Sequence, residues 1–216
     1  MKRKLKISQI RFKYLSKPFD MKSSSNSPFM QFKKWIKQAI QKKVYEPTAM
    51  SLSTLGNKNK VSNRIVLLKG IDKKTFVFYT NLTSRKALEI KKNNSVAAVF
   101  WWPQISKQVR IEGIVKKVKD SEANKYFATR SRQSQIGAWA SNQSDILPNR
   151  EYLEKQVKII EKRFANKPIK RPKYWSGFSI IPFSIEFWQG RENRLHDRIV
   201  YKLTSNKRWK KYRLNP

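Results

Sequence analysis

The chain has 216 residues and a formal net charge of +35, with 39% hydrophobic and 12% aromatic residues. This length allows one sizeable domain with a core, and the aromatic content excludes a disordered polycation. The absence of cysteine excludes disulfides, thiolate metal sites and cysteine nucleophiles. The single histidine, His196, excludes multi-histidine metal sites but not carboxylate ones. We therefore expect a globular protein without a metal ion.

The positive charge is distributed along the whole chain. Lysine and arginine number 17, 14 and 18 in successive thirds of the sequence. A dedicated nucleic-acid or anionic-surface site would concentrate them in one stretch. The even distribution favours a lysine-rich solvated surface, with incidental polyanion binding at low salt and no specific nucleic-acid partner.

No stretch approaches the ~20 apolar residues that span a bilayer, so no membrane partner is expected. The N-terminus is basic but lacks the apolar region of a signal peptide. A transit peptide is the alternative, because no acidic residue precedes Asp20. The cytoplasm is the expected compartment.

The first half of the chain is predicted to hold an arm, a helix and a series of strands. Residues 1–28 are polar, basic and interrupted by proline, which indicates an N-terminal arm or lid. From Pro28 to Ile40 apolar residues recur at three-and-four spacing, which predicts an amphipathic helix. The remaining predicted elements are a strand 49–54, a turn 56–60, a hairpin of 64–69 with 75–80, a helix 84–92, and strands 96–101 and 108–118.

The second half is predicted to contain helices and then strands. Helices are expected over 122–130 and 150–164, with the less regular segment 134–144 between them. The predicted strands of the tail are 178–181, 185–188, 194–203 and 209–214. No linker or repeat divides 29–216, so we expect one domain after the arm. The fold class is mainly β with helices (α+β), an antiparallel β-barrel with helical additions.

The sequence Arg194-Leu195-His196-Asp197-Arg198 carries the first candidate site. In an extended strand Arg194, His196 and Arg198 would share one face. Two guanidiniums beside an imidazole suit an anionic ligand. The alternative is a solvated strand face in an arginine-rich chain.

A second candidate is formed by Tyr126, Arg130 and Ser134, spaced four residues apart. One continuous helix would align the three side chains, and together they suit a phosphate group. Chance spacing is the alternative, because Ser134 could lie beyond the end of the helix.

Two further cationic stretches could bind phosphate. Arg85 and Lys86 follow Ser84 at a predicted helix start, where a bound phosphate would offset their unfavourable interaction with the helix dipole. The strand from Arg64 to Lys69 has an apolar middle and a cation at each end. Chance and the snorkelling of long side chains are the alternatives. There is no glycine-rich phosphate loop, GxSxG elbow or Walker motif.

Taken together, several segments closely resemble one family, the pyridoxine/pyridoxamine 5'-phosphate oxidases. They occur in family order from Trp35 to Pro216. The segments are EPTAMSLST, RIVLLKG, FVFYTNLTSRKA, QVRIEG, YFATRSRQSQIGAWASNQS, IEFWQGRENRLHDR and the terminal RLNP. The resemblance implies an FMN-binding split β-barrel that works as a homodimer, with flavin bound between subunits.

The resemblance also implies roles for individual residues. FMN phosphate and ribityl contacts fall on Arg64, Arg85, Lys86 and Ser144. Further flavin contacts fall on Ile65, Val66, Leu67, Leu68, Tyr79, Thr80, Gln108, Gln143, Trp188 and Arg198. The substrate phosphate falls to Lys69, Tyr126, Arg130 and Ser134. Arg194 and His196 would contact the substrate ring as the catalytic pair, and Arg11 and Tyr14 would belong to a substrate-binding lid.

The implied activity is oxidation of pyridoxine or pyridoxamine 5'-phosphate, both phosphorylated B6 vitamers, to pyridoxal 5'-phosphate. O2 would accept the electrons through FMN, giving hydrogen peroxide, and ammonia would be released from the amine. Arg194 would orient the substrate, with His196 as its neighbour. A non-oxidase flavin-binding split-barrel protein and a basic nucleic-acid-binding module are the alternatives.

Overall fold

The computed structural model of the protein describes residues 6–9, 13–14, 16–72 and 74–216. Arg11, one of the predicted lid residues, lies outside these described residues. The described chain contains five α-helices and nine strands. In chain order they are α1 (Pro28–Gln41), β1 (Ala49–Leu55), β2 (Val61–Leu67), β3 (Gly70–Asp72), β4 (Thr75–Asn81), α2 (Arg85–Lys92), β5 (Ser95–Trp102), β6 (Lys107–Lys117), α3 (Asp120–Ala128), α4 (Arg132–Ala140), α5 (Arg150–Arg163), β7 (Trp175–Gln189), β8 (Asp197–Leu203) and β9 (Trp209–Leu214).

The chain forms two compact units built from interleaved segments. The first unit comprises residues 1–47, 100–110 and 184–216, and the second comprises 48–99 and 111–183. Strands β5, β6 and β7 each contribute residues to both units. None of the described helices is long and apolar enough to cross a membrane.

In the first unit, helix α1 packs through the apolar face that its sequence predicts. The side chain of Ser27 caps the helix by accepting a hydrogen bond from the backbone N–H of Met30, and Pro28 occupies the first turn. Trp35 is 2% exposed and packs against Phe19 and Phe187, with ring centroids 4.9 and 5.2 Å away. Burying such a ring contributes on the order of 2–3 kcal/mol.

The strands of the first unit form an antiparallel ladder. The last residues of β7 pair with β8, which places Trp188 opposite Arg198. Strand β8 pairs in turn with β9. The turn between β7 and β8 therefore lies directly before the Asp197-Arg198 sequence.

The strands of the second unit follow the sheet order β2-β1-β5-β6-β7-β4-β3. Strand β1 pairs with β2 and with β5, and a hydrogen bond of 2.8 Å from the backbone N–H of Gly56 to the carbonyl of Lys60 closes the β1–β2 turn. Strand β4 pairs with β3 and with the first residues of β7. These pairings bring the ends of β2 and β4 close to helices α2 and α3 in the cavity described below.

Two predictions about local pairing and helix content were wrong. Residues 64–69 and 75–80 do not form a hairpin, because β2 pairs with β1 across the nearer five-residue turn and β4 pairs with β3 and β7. The segment 134–144 is not irregular at its start. Helix α4 begins after Ser131, whose side chain accepts a hydrogen bond from the backbone N–H of Ser134.

The predicted tail strands also differ from the structure. Residues 178–181 and 185–188 belong to one strand, β7. The predicted strand 194–203 begins only at Asp197, because Asn193 and Arg194 adopt positive φ angles of 54° and 61° in a tight turn. The other predicted helices and strands are confirmed within a few residues.

Candidate functional site

A cavity of about 500 Å³ in the second unit collects many of the candidate residues. It lies where β2 and β4 end and where α2 and α4 begin. Its volume falls in the range of small-molecule sites. The lining residues are Ile65, Val66, Leu67, Lys69, Tyr79, Thr80, Asn81, Lys86, Tyr126, Arg130, Ser131, Ser134, Gln143 and Trp175.

Arg130 is the most informative residue of this cavity. Its Nη1 atom is buried and has no hydrogen-bond partner among the described residues. The guanidinium lies 4.7 Å from the ring centre of Trp175, and burial lowers the pKa of Arg130, although the nearby Tyr126 raises it. A buried cationic donor without a partner is costly unless a ligand supplies an acceptor. The arrangement therefore fits an anion.

Three stacked rings form one wall of the cavity. The three rings are nearly parallel and all contact one another, with ring centroids 4.0 Å apart for Tyr79–Tyr126, 5.3 Å for Tyr79–Trp175 and 6.1 Å for Tyr126–Trp175 and interplanar angles of 17°, 6° and 10°. A Cβ atom at Gly177 would lie 2.7 Å from the Tyr79 ring, so only glycine leaves room for this stack. Burial raises the pKa of Tyr126, which keeps its phenol protonated as a hydrogen-bond donor.

Lys86 supplies a second cation to the cavity. The residue is 7% exposed, and its Nζ lies 3.1 Å from Thr80 Oγ1, 3.2 Å from Ser84 Oγ and 3.2 Å from Gln143 Oε1. Burial, followed by the charge of Arg64, lowers the pKa of Lys86 to about 8. The hydrogen-bond partners of the ammonium group among the described residues are all neutral, and the charge of Glu89 offsets only part of the effect of burial. A bound anion would therefore stabilise the charged form of Lys86.

Arg64 is held by a buried carboxylate, Glu89, that pattern analysis of the sequence missed. Glu89 Oε2 lies 3.3 Å from Arg64 Nη2, and Oε1 lies 2.9 Å from Arg85 Nε. Burial alone would raise the pKa of Glu89, but hydrogen bonds from Ser62, Thr54 and Arg85 and the charge of Arg64 lower it to about 2. The available signal was the i,i+4 spacing from Arg85 in a chain with only 14 acidic residues.

Arg85 and Ser144 line a neighbouring cavity of about 420 Å³ together with Glu89. The Oγ of Ser144 accepts a hydrogen bond of 3.2 Å from the backbone N–H of Arg85. The structure thus places Lys86 and Gln143 in one cavity and Arg85 and Ser144 in the next, with Arg64 ion-paired to Glu89. Ser84 is the N-cap residue of α2, but its side chain makes no capping hydrogen bond.

The second group of candidates lies in the first unit around His196. Its ring is 4.5 Å from Trp188 and 5.4 Å from Tyr14 between centroids. The backbone N–H of Arg191 donates to Nδ1 of His196 at 3.1 Å, which assigns the proton of the neutral imidazole to Nε2. Burial and then the charge of Arg194 lower the pKa of His196, so the neutral form, with its proton on Nε2, is favoured at neutral pH.

The prediction that Arg194, His196 and Arg198 share one face of a strand was wrong. Arg194 lies in the turn before β8, where its side chain is exposed. Arg198 makes a two-point ion pair with Glu186, at 2.8 and 3.1 Å, and donates to the carbonyl of Asn215 at 2.9 Å. Strand alternation could not reveal Glu186, because the partner comes from the neighbouring strand β7.

Tyr126, Arg130 and Ser134 come together, but not on one continuous helix as predicted. Helix α3 ends at Ala128 and α4 begins at Arg132, so Tyr126, Arg130 and Ser134 do not share one helix. All three nevertheless line the same cavity, together with Lys69 beyond the end of β2. Five of the other predicted flavin contacts also line this cavity: Ile65, Val66, Leu67, Tyr79 and Thr80. Leu68, in the second unit, is buried. Gln108 is half-buried and belongs to the first unit.

Comparison with known proteins gives a consistent result. The family profile described as "Pyridoxamine 5'-phosphate oxidase" matches residues 36–164, and that described as "Pyridoxine 5'-phosphate oxidase C-terminal dimerisation region" matches 175–216. A relative from Leptospira interrogans serogroup Icterohaemorrhagiae serovar copenhageni, named pyridoxine/pyridoxamine 5'-phosphate oxidase, is 44% identical over 211 residues, covering 98% of this chain and 99% of the relative. One of the same name from Nostoc sp. is 46% identical over 190 residues, covering 88% and 89%.

Solved structures show the same fold. The crystal structure of PhzG from Burkholderia lata 383 in complex with tetrahydrophenazine-1-carboxylic acid is similar with a TM-score of 0.85 and 29% identity, covering 90% of this chain and 95% of that one. An FMN-binding protein from Nostoc punctiforme has a TM-score of 0.71 at 15% identity, covering 89% and 100%. The predicted α+β antiparallel split-barrel fold is confirmed. With both profiles matched and relatives above 40% identity over nearly its whole length, the chain belongs to the pyridoxamine 5'-phosphate oxidase family.

Proposed function

We propose that the protein is an FMN-dependent oxidase that converts pyridoxine or pyridoxamine 5'-phosphate to pyridoxal 5'-phosphate. O2 is the electron acceptor and hydrogen peroxide the co-product; with the amine substrate, water hydrolyses the resulting imine to the aldehyde and ammonia. The names of the relatives support the reaction class. The observation that carries the proposal is the buried Nη1 of Arg130, which has no partner among the described residues and lines a cavity with Lys69, Tyr126 and Ser134.

The residues of the second unit fit the phosphate end of FMN. Lys86 is a buried cation whose described hydrogen-bond partners are all neutral, and Arg64 and Arg85 are fixed nearby by Glu89. Thr80, Gln143 and Ser144 add polar atoms suited to the ribityl chain, and Ile65 to Leu68 add apolar surface. When bound, FMN would supply a hydride acceptor and pass electrons to oxygen.

Lys69, Tyr126, Arg130 and Ser134 would hold the substrate phosphate. A bound phosphate would give Nη1 of Arg130 the acceptor that it lacks among the described residues. Ser134 Oγ lies 2.8 Å from Ser131 Oγ at the start of α4. Charge-assisted hydrogen bonds to phosphate each contribute about 1.5–3 kcal/mol. The phosphate therefore serves as the anchor that places the reacting carbon, because a fixed geometry lowers the entropic part of the barrier.

In the first unit, we assign the substrate ring to Arg194 and His196 and further flavin contacts to Gln108, Trp188 and Arg198. Neutral His196 would donate through Nε2–H, and exposed Arg194 would orient the substrate at the reacting carbon. Tyr14 would contact the substrate as a lid residue, and Arg11 is assigned to the same lid. Matching of the dimerisation region to residues 175–216 supports a homodimer, and we place FMN at the subunit interface.

The test is an aerobic assay of aldehyde formation with FMN-loaded protein and both phosphorylated substrates. Arg130→Met should raise KM for pyridoxamine 5'-phosphate about 10- to 100-fold, the equivalent of one charge-assisted hydrogen bond. KM for unphosphorylated pyridoxamine, the matched control substrate, should change little. Tight FMN binding without aldehyde production from either phosphate ester would instead favour a non-oxidase flavin-binding protein.

A further inference from the structure

Arg191, in the turn after β7, bridges two segments of the first unit. Its Nη1 donates to the carbonyl of Ser16 at 2.5 Å, and its Nε lies 3.7 Å from Asp197 Oδ2. The same Oδ2 accepts the backbone N–H of Phe19 at 3.0 Å, while Oδ1 pairs with Arg213 at 2.8 Å. Both ends of the arm segment 16–19 are therefore fastened to the turn and to the start of β8.

Two residues before this segment, the ring of Tyr14 packs against His196, Trp188 and Gly190. Its ring meets His196 edge-to-face at 5.4 Å and Trp188 at 5.6 Å. A Cβ atom at Gly190 would lie 2.5 Å from Cδ1 of Tyr14, so any larger residue would displace the ring. The backbone of Gly190 cannot easily retreat, because its N–H donates to the carbonyl of Ser106 at 2.8 Å.

Arg191 also contacts the imidazole directly. Its backbone N–H is the donor to Nδ1 of His196. One residue thus fixes the arm through its side chain and the orientation of His196 through its main chain. An arginine is suited to this because its planar fork reaches a carbonyl and a carboxylate at once, whereas lysine is a single point charge.

We propose that Arg191 is a positioning residue that couples the arm segment 16–19 to His196 and so sets the ring of Tyr14 against the imidazole. Its effect on substrate rests on the proposed function. Holding the arm in place before binding reduces the ordering cost that a free arm would add to substrate binding. Loss of the coupling therefore weakens substrate binding more than it slows the chemical step.

The first measurement is hydrogen exchange of the arm peptide in the full-length, FMN-supplemented protein. Arg191→Met removes the side-chain hydrogen bond and ion pair but keeps the backbone donor to His196. Arm exchange should accelerate about tenfold, the equivalent of a lost hydrogen bond of about 1.4 kcal/mol. Gly190→Ala should do the same by displacing Tyr14. Arg208→Met, an exposed arginine in the β8–β9 turn, is the matched control and should leave exchange unchanged.

The second measurement is the steady-state kinetics of the same variants. Arg191→Met should raise KM for the phosphorylated substrate about tenfold with kcat within a factor of about two. The double variant with Tyr14→Ala should add little to either single change, because both act through one contact. Wild-type arm exchange in Arg191→Met, or an unchanged KM, would overturn the coupling. Absence of oxidase activity in the wild type would overturn the proposed function, and the exchange data would still decide whether Arg191 holds the arm.

Discussion

The lowered pKa of Lys86 gives a prediction about FMN binding. Burial brings the pKa of this ammonium from 10.5 to about 8. A shift of this size corresponds to a cost of about 3 kcal/mol for the charged form. The FMN phosphate is essentially doubly ionised above pH ~7, and contact with it should raise the Lys86 pKa again. FMN binding is therefore coupled to protonation of Lys86.

The magnitude follows from this coupling. Between pH 7 and pH 9 the charged fraction of Lys86 in the free protein falls from about nine-tenths to about one-tenth, so the Kd for FMN should rise about tenfold. Lys86→Met should bind FMN about 10- to 100-fold more weakly at pH 7 and should lose this pH dependence. The variant should also fold more stably without FMN, because it removes a buried charge.

Quenching of FMN fluorescence on titration with apoprotein measures these constants. Lys91→Met, on the exposed side of the same helix, is the control and should keep the wild-type pH profile. A wild-type Kd that stays flat from pH 7 to 9, or a tenfold rise that Lys86→Met retains, would show that FMN binding is not coupled to protonation of Lys86.

Two further predictions concern the ion pair of Glu89 and the subunit arrangement. The pKa of Glu89 is lowered to about 2, so the ionised form contributes about 3 kcal/mol of stability above pH 4.5 that is lost as the pH falls towards 2. Glu89→Gln should lower the unfolding free energy at pH 7 by a comparable amount and flatten its dependence between pH 5 and 3, measured by urea denaturation; an unchanged acid profile would contradict this. If FMN lies between subunits, mixing and refolding equal amounts of Arg130→Met and Arg194→Met protein should restore about a quarter of wild-type activity, because half of the dimers would then contain one intact site. No gain over the separate variants would contradict an interface site built from both groups.

Local sequence patterns predicted the elements whose structure depends on near neighbours. Helix α1 follows from three-and-four apolar spacing after the Ser27-Pro28 start, and β9 has the predicted bounds of 209–214. Strand pairing was not predictable in the same way. RIVLLK and TFVFYT have the composition of hairpin partners, but the turn at 56–60 gives β2 a nearer partner in β1.

For the candidate site, residue types were predicted better than contacts. Tyr126, Arg130 and Ser134 line one cavity although the continuous helix that motivated the grouping is broken between α3 and α4. The charge partners of Arg64 and Arg198 were missed because they come from other elements. The guanidinium of Arg198 forms an ion pair with Glu186 on β7, whereas strand alternation predicted that it would bind an anionic ligand. Arg194 was predicted to lie in a strand, but it has a positive φ angle because it belongs to the turn before β8.

The proposed function requires the chain to hold a phosphorylated B6 vitamer where bound FMN can oxidise it. The most direct measurement is anaerobic mixing of the FMN-loaded protein with pyridoxamine 5'-phosphate, followed by admission of oxygen. The proposed oxidase reaction predicts loss of the oxidised-flavin absorbance with formation of one aldehyde per flavin, and then recovery of the absorbance with one hydrogen peroxide. Flavin that stays oxidised with saturating pyridoxamine and pyridoxine 5'-phosphates would contradict it.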